Sequence, residues 1–213
     1  MRSMIFVLAM LASTPVLAEV PASLSGPQFD AALQQKGDPA RGKAVFAECA
    51  GCHHKDASGR SSGTIPRLAG QHASVIRKQL LDIRTGKRNN PLMAPILDDP
   101  DLTLDAIADV ASYLASLPVA GPTGKGPGTM IGRGRSLYVQ DCARCHGANG
   151  EGIAEQFNPR LVGQHYGYLL RELKLIRSGE RGNSNANMVG VLKPYAESDL
   201  EALADFLSQL PAP

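Results

Sequence analysis

The sequence predicts an all-α protein made of two tandem homologous domains. Three observations carry that prediction. The chain repeats itself at a fixed offset of 93 residues; each copy places apolar residues at helical spacing; no period-two alternation argues for a sheet. "CAGCH" at 49–53 recurs as "CARCH" at 142–146, "PRLAGQH" at 66–72 as "PRLVGQH" at 159–165, and 75–88 as 168–181.

From the N-terminus, residues 1–18 read as an export signal. Arg2 supplies the positive end, Met4–Ala12 is an apolar run, and Val16–Ala18 places small residues at a cut after Ala18. The run is too short for a spanning helix, which needs about 20 apolar residues. The expected product is a soluble protein outside the cytoplasm. Residues 19–37 have no counterpart in the repeat and are expected to be a loosely ordered extension.

The first domain is assigned to 38–119. Asp38 and Pro39 form an N-cap and first-turn pair. Ile76, Leu80 and Ile83 define one amphipathic helix; Ile107, Val110, Leu114 and Leu117 define the last. Residues 120–130 read as a Gly/Pro-rich linker, with six Gly or Pro in 120–129. The second domain, 131–213, repeats the pattern with Leu169, Leu173 and Ile176, then Leu200, Leu203, Leu207 and Leu210. Ser198 with Glu201 fits a capping box. Only the Met-bearing segment shifts: "MAPIL" at 93–97 aligns with "MVGVL" at 188–192 at an offset of 95.

Composition narrows the function. With 22 basic and 20 acidic residues the net charge is +2, which lacks the basic excess of nucleic-acid binding. The chain has five Phe, five Tyr and no Trp, so each half of about eighty residues has a marginal core unless something else fills it.

The four cysteines, Cys49, Cys52, Cys142 and Cys145, all lie in the two C-x-x-C-H motifs. Three readings compete. A disulfide suits an exported protein but does not need His after each pair. One pooled zinc site would leave both histidines idle. Covalent haem c uses every residue. Two thiols add to the vinyl groups on one porphyrin edge, and the next residue lies beneath the iron. Two haem c groups would also supply the missing core mass.

His53 and His146 then each hold one face of an iron. For the other face, Met93 and Met188 occupy equivalent places and lie in loop-like sequence. His72 and His165, also repeated, are the rivals; their plainer role is as polar residues in a first helical turn. His54 has no counterpart and reads as a surface residue. Backbone carbonyls near Pro66 and Pro159, 13 residues after each haem histidine, are placed to accept its Nδ1–H. A His/Met pair raises the reduction potential and leaves no open iron position, which favours electron transfer over catalysis.

With these motifs in view, the chain resembles the dihaem cytochrome c4 type of class I cytochromes c. The likeness covers roughly 38–213. The resemblance implies two tandem cytochrome c domains related by pseudo-twofold symmetry, with Cys49, Cys52, Cys142 and Cys145 attaching haem and the pairs His53/Met93 and His146/Met188 ligating iron. It implies a periplasmic carrier between donors such as a cytochrome bc complex or a dehydrogenase and a terminal oxidase. It also implies loose membrane association and leaves room for a homodimer. His54 departs from the pattern, since glycine is common there. The second half also carries one more residue than the first between its early Gly and its first Cys.

Two other functions compete with a dedicated carrier. One is a dihaem electron-transfer subunit of a dehydrogenase, such as a sulfide-oxidising flavocytochrome c. The other is a dihaem enzyme, a peroxidase or thiosulfate dehydrogenase. A peroxidase needs an open iron, and the thiosulfate enzymes of this type use a cysteine ligand that this chain cannot spare. The acidic stretch 98–109 reads first as a solvated face and second as a docking surface that steers encounter.

Overall fold

The computed structural model describes residues 24–211, so the expected signal 1–18 lies outside the described residues. Among them the backbone is helical, with one isolated bridge between Ile153 and Asn158 and no strand. The first half comprises α1 (Gly26–Gln34), α2 (Pro39–Phe46), α3 (Ala50–His53), α4 (Ala73–Arg84), α5 (Ala94–Leu97) and α6 (Leu104–Ser116). The second comprises α7 (Ile131–Leu137), a π turn (Tyr138–Cys142), α8 (Ala143–His146), α9 (Tyr166–Ser178), α10 (Ala186–Leu192) and α11 (Glu197–Gln209).

In each half the helix before the C-x-x-C-H turn, α2 or α7, crosses the closing helix at a glycine. A Cβ on Gly42 would strike the Asp109 carbonyl of α6, and one on Gly134 the Ala202 carbonyl of α11. Only glycine lets the backbones approach that closely. Beside each crossing an aromatic pair packs tilted: Phe46 with Tyr113 at 5.7 Å and Tyr138 with Phe206 at 5.6 Å between centroids. The extra residue of the second half sits between Gly134 and Cys142. The π turn absorbs it, so the glycine crossing and the C-x-x-C-H helix both keep their places.

The expected caps divide. The Asp38 carboxylate accepts from the Ala40 N–H at 2.7 Å. The Ser198–Glu201 box is not formed. Helix α11 begins at Glu197, which puts Ser198 inside the first turn; Asp199 instead accepts from the Ala196 N–H at 3.1 Å. The extension also differs from expectation, because α1 is folded onto the first half. Phe29 and Ala32 pack against Leu81 and Ile107. The Arg77 guanidinium donates to the Leu33 and Gln35 carbonyls at 2.8 and 2.5 Å, closing the C-terminal end of α1. Phe29, Ala32 and Leu33 have i, i+3, i+4 spacing, a short helical signal with no repeat partner to draw attention to it.

The two halves meet through residues that are themselves repeated. Gln71 donates to the Arg160 carbonyl at 2.9 Å and accepts from the Arg160 N–H at 2.9 Å. Its equivalent, Gln164, treats Arg67 the same way, at 2.9 and 3.0 Å. A contact that maps onto itself when the halves are exchanged is the mark of a twofold interface. A second such group joins α4 and α9. Arg88 donates to Gln79 at 2.8 Å and to Glu172 at 3.1 Å, and Arg181 reaches the same two residues at 3.1 Å each. Gln79 and Glu172 are repeat equivalents, as are Arg88 and Arg181. The connecting segment is strapped down. Arg67 donates to the carbonyls of Ala120, Gly121 and Pro122, and the Asp205 carboxylate accepts from the N–H groups of Gly128 and Met130.

Candidate haem-binding sites

Each C-x-x-C-H motif is carried on a single helical turn, α3 or α8, set by the helix before it. All four thiols are free. Among the described residues no three His, Cys, Asp or Glu side chains converge on one point, so the cysteines do not pool into a zinc site. Burial pushes the Cys49 thiol up and the Cys142 thiol up to about 12.

His53 and His146 are buried, at 5% and 7% exposure. The Nδ1 of His53 lies 3.2 Å from the Pro66 carbonyl and that of His146 lies 3.1 Å from the Pro159 carbonyl. These are the carbonyls expected from the 13-residue spacing. A carbonyl only accepts, so each Nδ1 carries the proton and each Nε2 keeps its lone pair for a metal. Burial also lowers both imidazole pKa values and favours the neutral, ligating form. The Tyr138 hydroxyl donates to the Gly147 carbonyl at 2.6 Å and secures the backbone just after His146.

Met93 precedes α5 and is half-buried; Asn90 accepts from its N–H through the side chain at 3.2 Å and the backbone carbonyl at 3.1 Å. Met188 is also half-buried, but it lies within α10 rather than in a loop. The reason is an N-cap, Asn185, whose side chain accepts from the Asn187 N–H at 2.8 Å. Cys142 and Met188 border one apolar cluster with Leu169, Leu173 and Leu192. Cys49 borders the equivalent cluster of the first half, and Met93 lies outside it.

His72 and His165 are engaged elsewhere. His72 Nε2 is 2.8 Å from the Glu151 carbonyl, and His165 Nε2 is 2.8 Å from the Ser58 carbonyl. Those carbonyls are repeat equivalents, so both histidines tie one half to the other. His165 Nδ1 further accepts from the Gly124 N–H at 3.0 Å. The sequence reading missed this role for "PRLxGQH". The signal was the repetition of Arg, Gln and His in a segment that no haem requirement explained.

The residues fit a c-type haem in each half: paired thiols, and beside them a buried neutral imidazole with its orientation fixed. The comparisons agree. The cytochrome c family model matches residues 39–118 and again 131–211. A thiosulfate dehydrogenase electron acceptor of Stutzerimonas stutzeri is 34% identical over 205 residues, covering 91% of this chain and 94% of that protein. Cytochrome c4 of Thiocapsa roseopersicina is 34% identical over 196 residues, covering 84% and 96%. The crystal structure of reduced cytochrome c4 from Pseudomonas stutzeri superposes with a TM-score of 0.73 at 30% identity, covering 82% of this chain and all of that one. With its repeated C-x-x-C-H sites and its twofold arrangement of halves, the chain belongs to the cytochrome c4 family, dihaem electron carriers with two tandem cytochrome c domains and two covalently bound haem c groups.

Proposed function

We propose that both irons are closed by protein, His53 with Met93 and His146 with Met188, and that the carrier therefore holds one electron per haem without offering either iron to a substrate. The observation that carries this reading is the imidazole geometry, repeated in both halves, together with the engagement of His72 and His165 across the interface. When bound, haem supplies the one-electron couple. The chain holds each imidazole by its Nδ1–H, buries it, and keeps the two halves in a fixed relation. The domains run 38–119 and 131–213 on either side of the strapped segment 120–130. The protein is exported after cleavage at Ala18 and works in the periplasm. Its donor is a dehydrogenase or a cytochrome bc complex and its acceptor a terminal oxidase; a relative named as the electron acceptor of thiosulfate dehydrogenase supports the donor class.

The ligand assignment is tested by Met93→Ala and Met188→Ala. Each is expected to remove one methionine-to-iron charge-transfer band and to lower one midpoint potential. Unchanged spectra in both would return the sixth position to His72 and His165.

A further inference from the structure

The two halves act as controls for each other, because any feature present in one and absent from the other is not required by the fold or by haem attachment. The Met-bearing segments differ most. In the first half Leu92 is 76% exposed and Ile96 39% exposed, four residues apart and flanked by exposed Pro91 and Pro95. At the matching positions the second half has Asn187, Val191, Ala186 and Gly190. The anchoring residues are kept in both: Leu97 and Leu192 are buried, and each Met is half-buried. So the apolar surface around Leu92 serves neither core.

That surface is held rigid. Asn90 bonds the Met93 and Ala94 N–H groups, and two prolines fix φ on either side of Leu92 and Met93. An ordered apolar knob loses little conformational freedom when a partner covers it. Exposed Asp98, Asp99 and Asp101 follow it directly. The nearby cation Arg84 is turned to the Leu102 carbonyl at 2.6 Å, and Lys87 lies over the Phe29 ring. In the second half exposed Lys193 stands where Asp98 does.

We infer that the Leu92–Ile96 face, bordered by Asp98, Asp99 and Asp101, is a docking surface for a redox protein with an apolar centre and a lysine- or arginine-rich rim, and that the second half lacks this surface. The inference rests on the reading of Met93 as a ligand of the first iron, which puts the face beside that haem. Electrons then pass between this partner and the first haem, while the second haem serves a partner of different surface chemistry. The acidic border disfavours an anionic membrane as the occupant.

The test is stopped-flow oxidation of the fully reduced dihaem protein by a ferric cytochrome c of the mitochondrial type, a small cationic probe with a lysine-rimmed haem edge. One electron leaves a ferrous haem of this chain and reduces the probe's ferric iron. The rate should fall as salt rises. Leu92→Asn, the residue of the second half, should slow it about tenfold, as loss of a central contact does. Asp98→Lys with Asp99→Asn should slow it at low salt and flatten the salt dependence. Lys193→Ala should leave it within twofold. A rate indifferent to Leu92 and the aspartates, or one that follows Lys193, overturns the inference. So does Leu92-dependent sedimentation with phosphatidylcholine–phosphatidylglycerol vesicles. Methionine-to-iron bands read in the same samples separate the two claims. A Leu92→Asn variant with wild-type bands and a wild-type rate sinks the docking surface alone, whereas bands that survive Met93→Ala sink the ligand assignment.

Discussion

At the residue scale, the position after each haem histidine shows what repetition conceals. Gly147 has φ 81° and ψ 163°, a conformation open to glycine. His54, its equivalent, has φ 65° and ψ 157°, and Ala57 has φ 55° where the second half has Gly150. A side chain in that region costs about 1–3 kcal/mol. His54→Gly is therefore expected to raise the stability of the holoprotein by about 1 kcal/mol, read as an upward shift in thermal midpoint with both haems retained. A lowered midpoint would show that the exposed imidazole makes a contact that outweighs its strain. The buried imidazole of each C-x-x-C-H motif was legible because the motif's chemistry asks for it: two thiols, a spacer, an imidazole. Even its carbonyl partner followed from spacing. His72 and His165 were not legible. A histidine at a helix start looks the same in sequence whether it faces an iron, solvent or another domain.

At the element scale, the helices were readable from apolar spacing, and the failures share one cause. Helix α1 had no repeat to compare with, Ser198 matched a cap motif two residues inside the helix, and Met188 fell in an Asn-rich stretch that reads as loop until Asn185 is seen to cap it. Local sequence sets the tendency, and packing sets the boundary. The glycine crossings give a sharper expectation. Gly134→Ala puts a methyl against the Ala202 carbonyl and the Phe206 side chain, whose ring packs tilted against Tyr138. Neither backbone can yield cheaply, so a loss of about 1–3 kcal/mol is expected, with Gly42→Ala behaving alike in the first half. Denaturant midpoints measure this, and a neutral Gly134→Ala would mean that α7 and α11 can slide apart. The π turn next door identifies where the strain should be taken up: the second half carries one residue more than the first between the crossing and its first Cys, and that slack lies in Tyr138–Cys142.

At the scale of the whole molecule, the interface decides whether two haem domains behave as one unit. It is symmetric in bonding and asymmetric in burial. Gln164 is 8% exposed and its partner Arg67 4%, whereas Gln71 and Arg160 are only partly buried. Gln164→Ala would leave the Arg67 N–H and carbonyl unpaired and away from water, at about 1–3 kcal/mol for each stranded group. Gln71→Ala exposes the same groups of Arg160 to solvent that can replace the bonds. The loss should therefore be larger for Gln164→Ala, and the two domains should then unfold in separate steps when haem absorbance and helicity are followed together. Equal effects would mean that the symmetry of the bonds, not their burial, sets the coupling. His165 adds a pH dependence at the same seam. It is buried and neutral, donating through Nε2 to Ser58 and accepting at Nδ1 from Gly124; burial, with a smaller effect from the Arg67 charge, holds its pKa below the ordinary 6.5. The unfolded chain takes up that proton first, so the unfolded state binds more protons as pH falls below 6.5. The stability contributed by His165 is complete above that pH and lost progressively on acidification toward its lowered native value. Protonation at Nδ1 would set a donor against the Gly124 N–H and loosen the strap between the domains. Thermal midpoints should accordingly fall more steeply from pH 7 toward pH 5 in the wild type than in His165→Gln, which can keep a donor toward Ser58 without titrating. Parallel curves would assign the acid sensitivity to the carboxylates and leave His165 a purely structural tie.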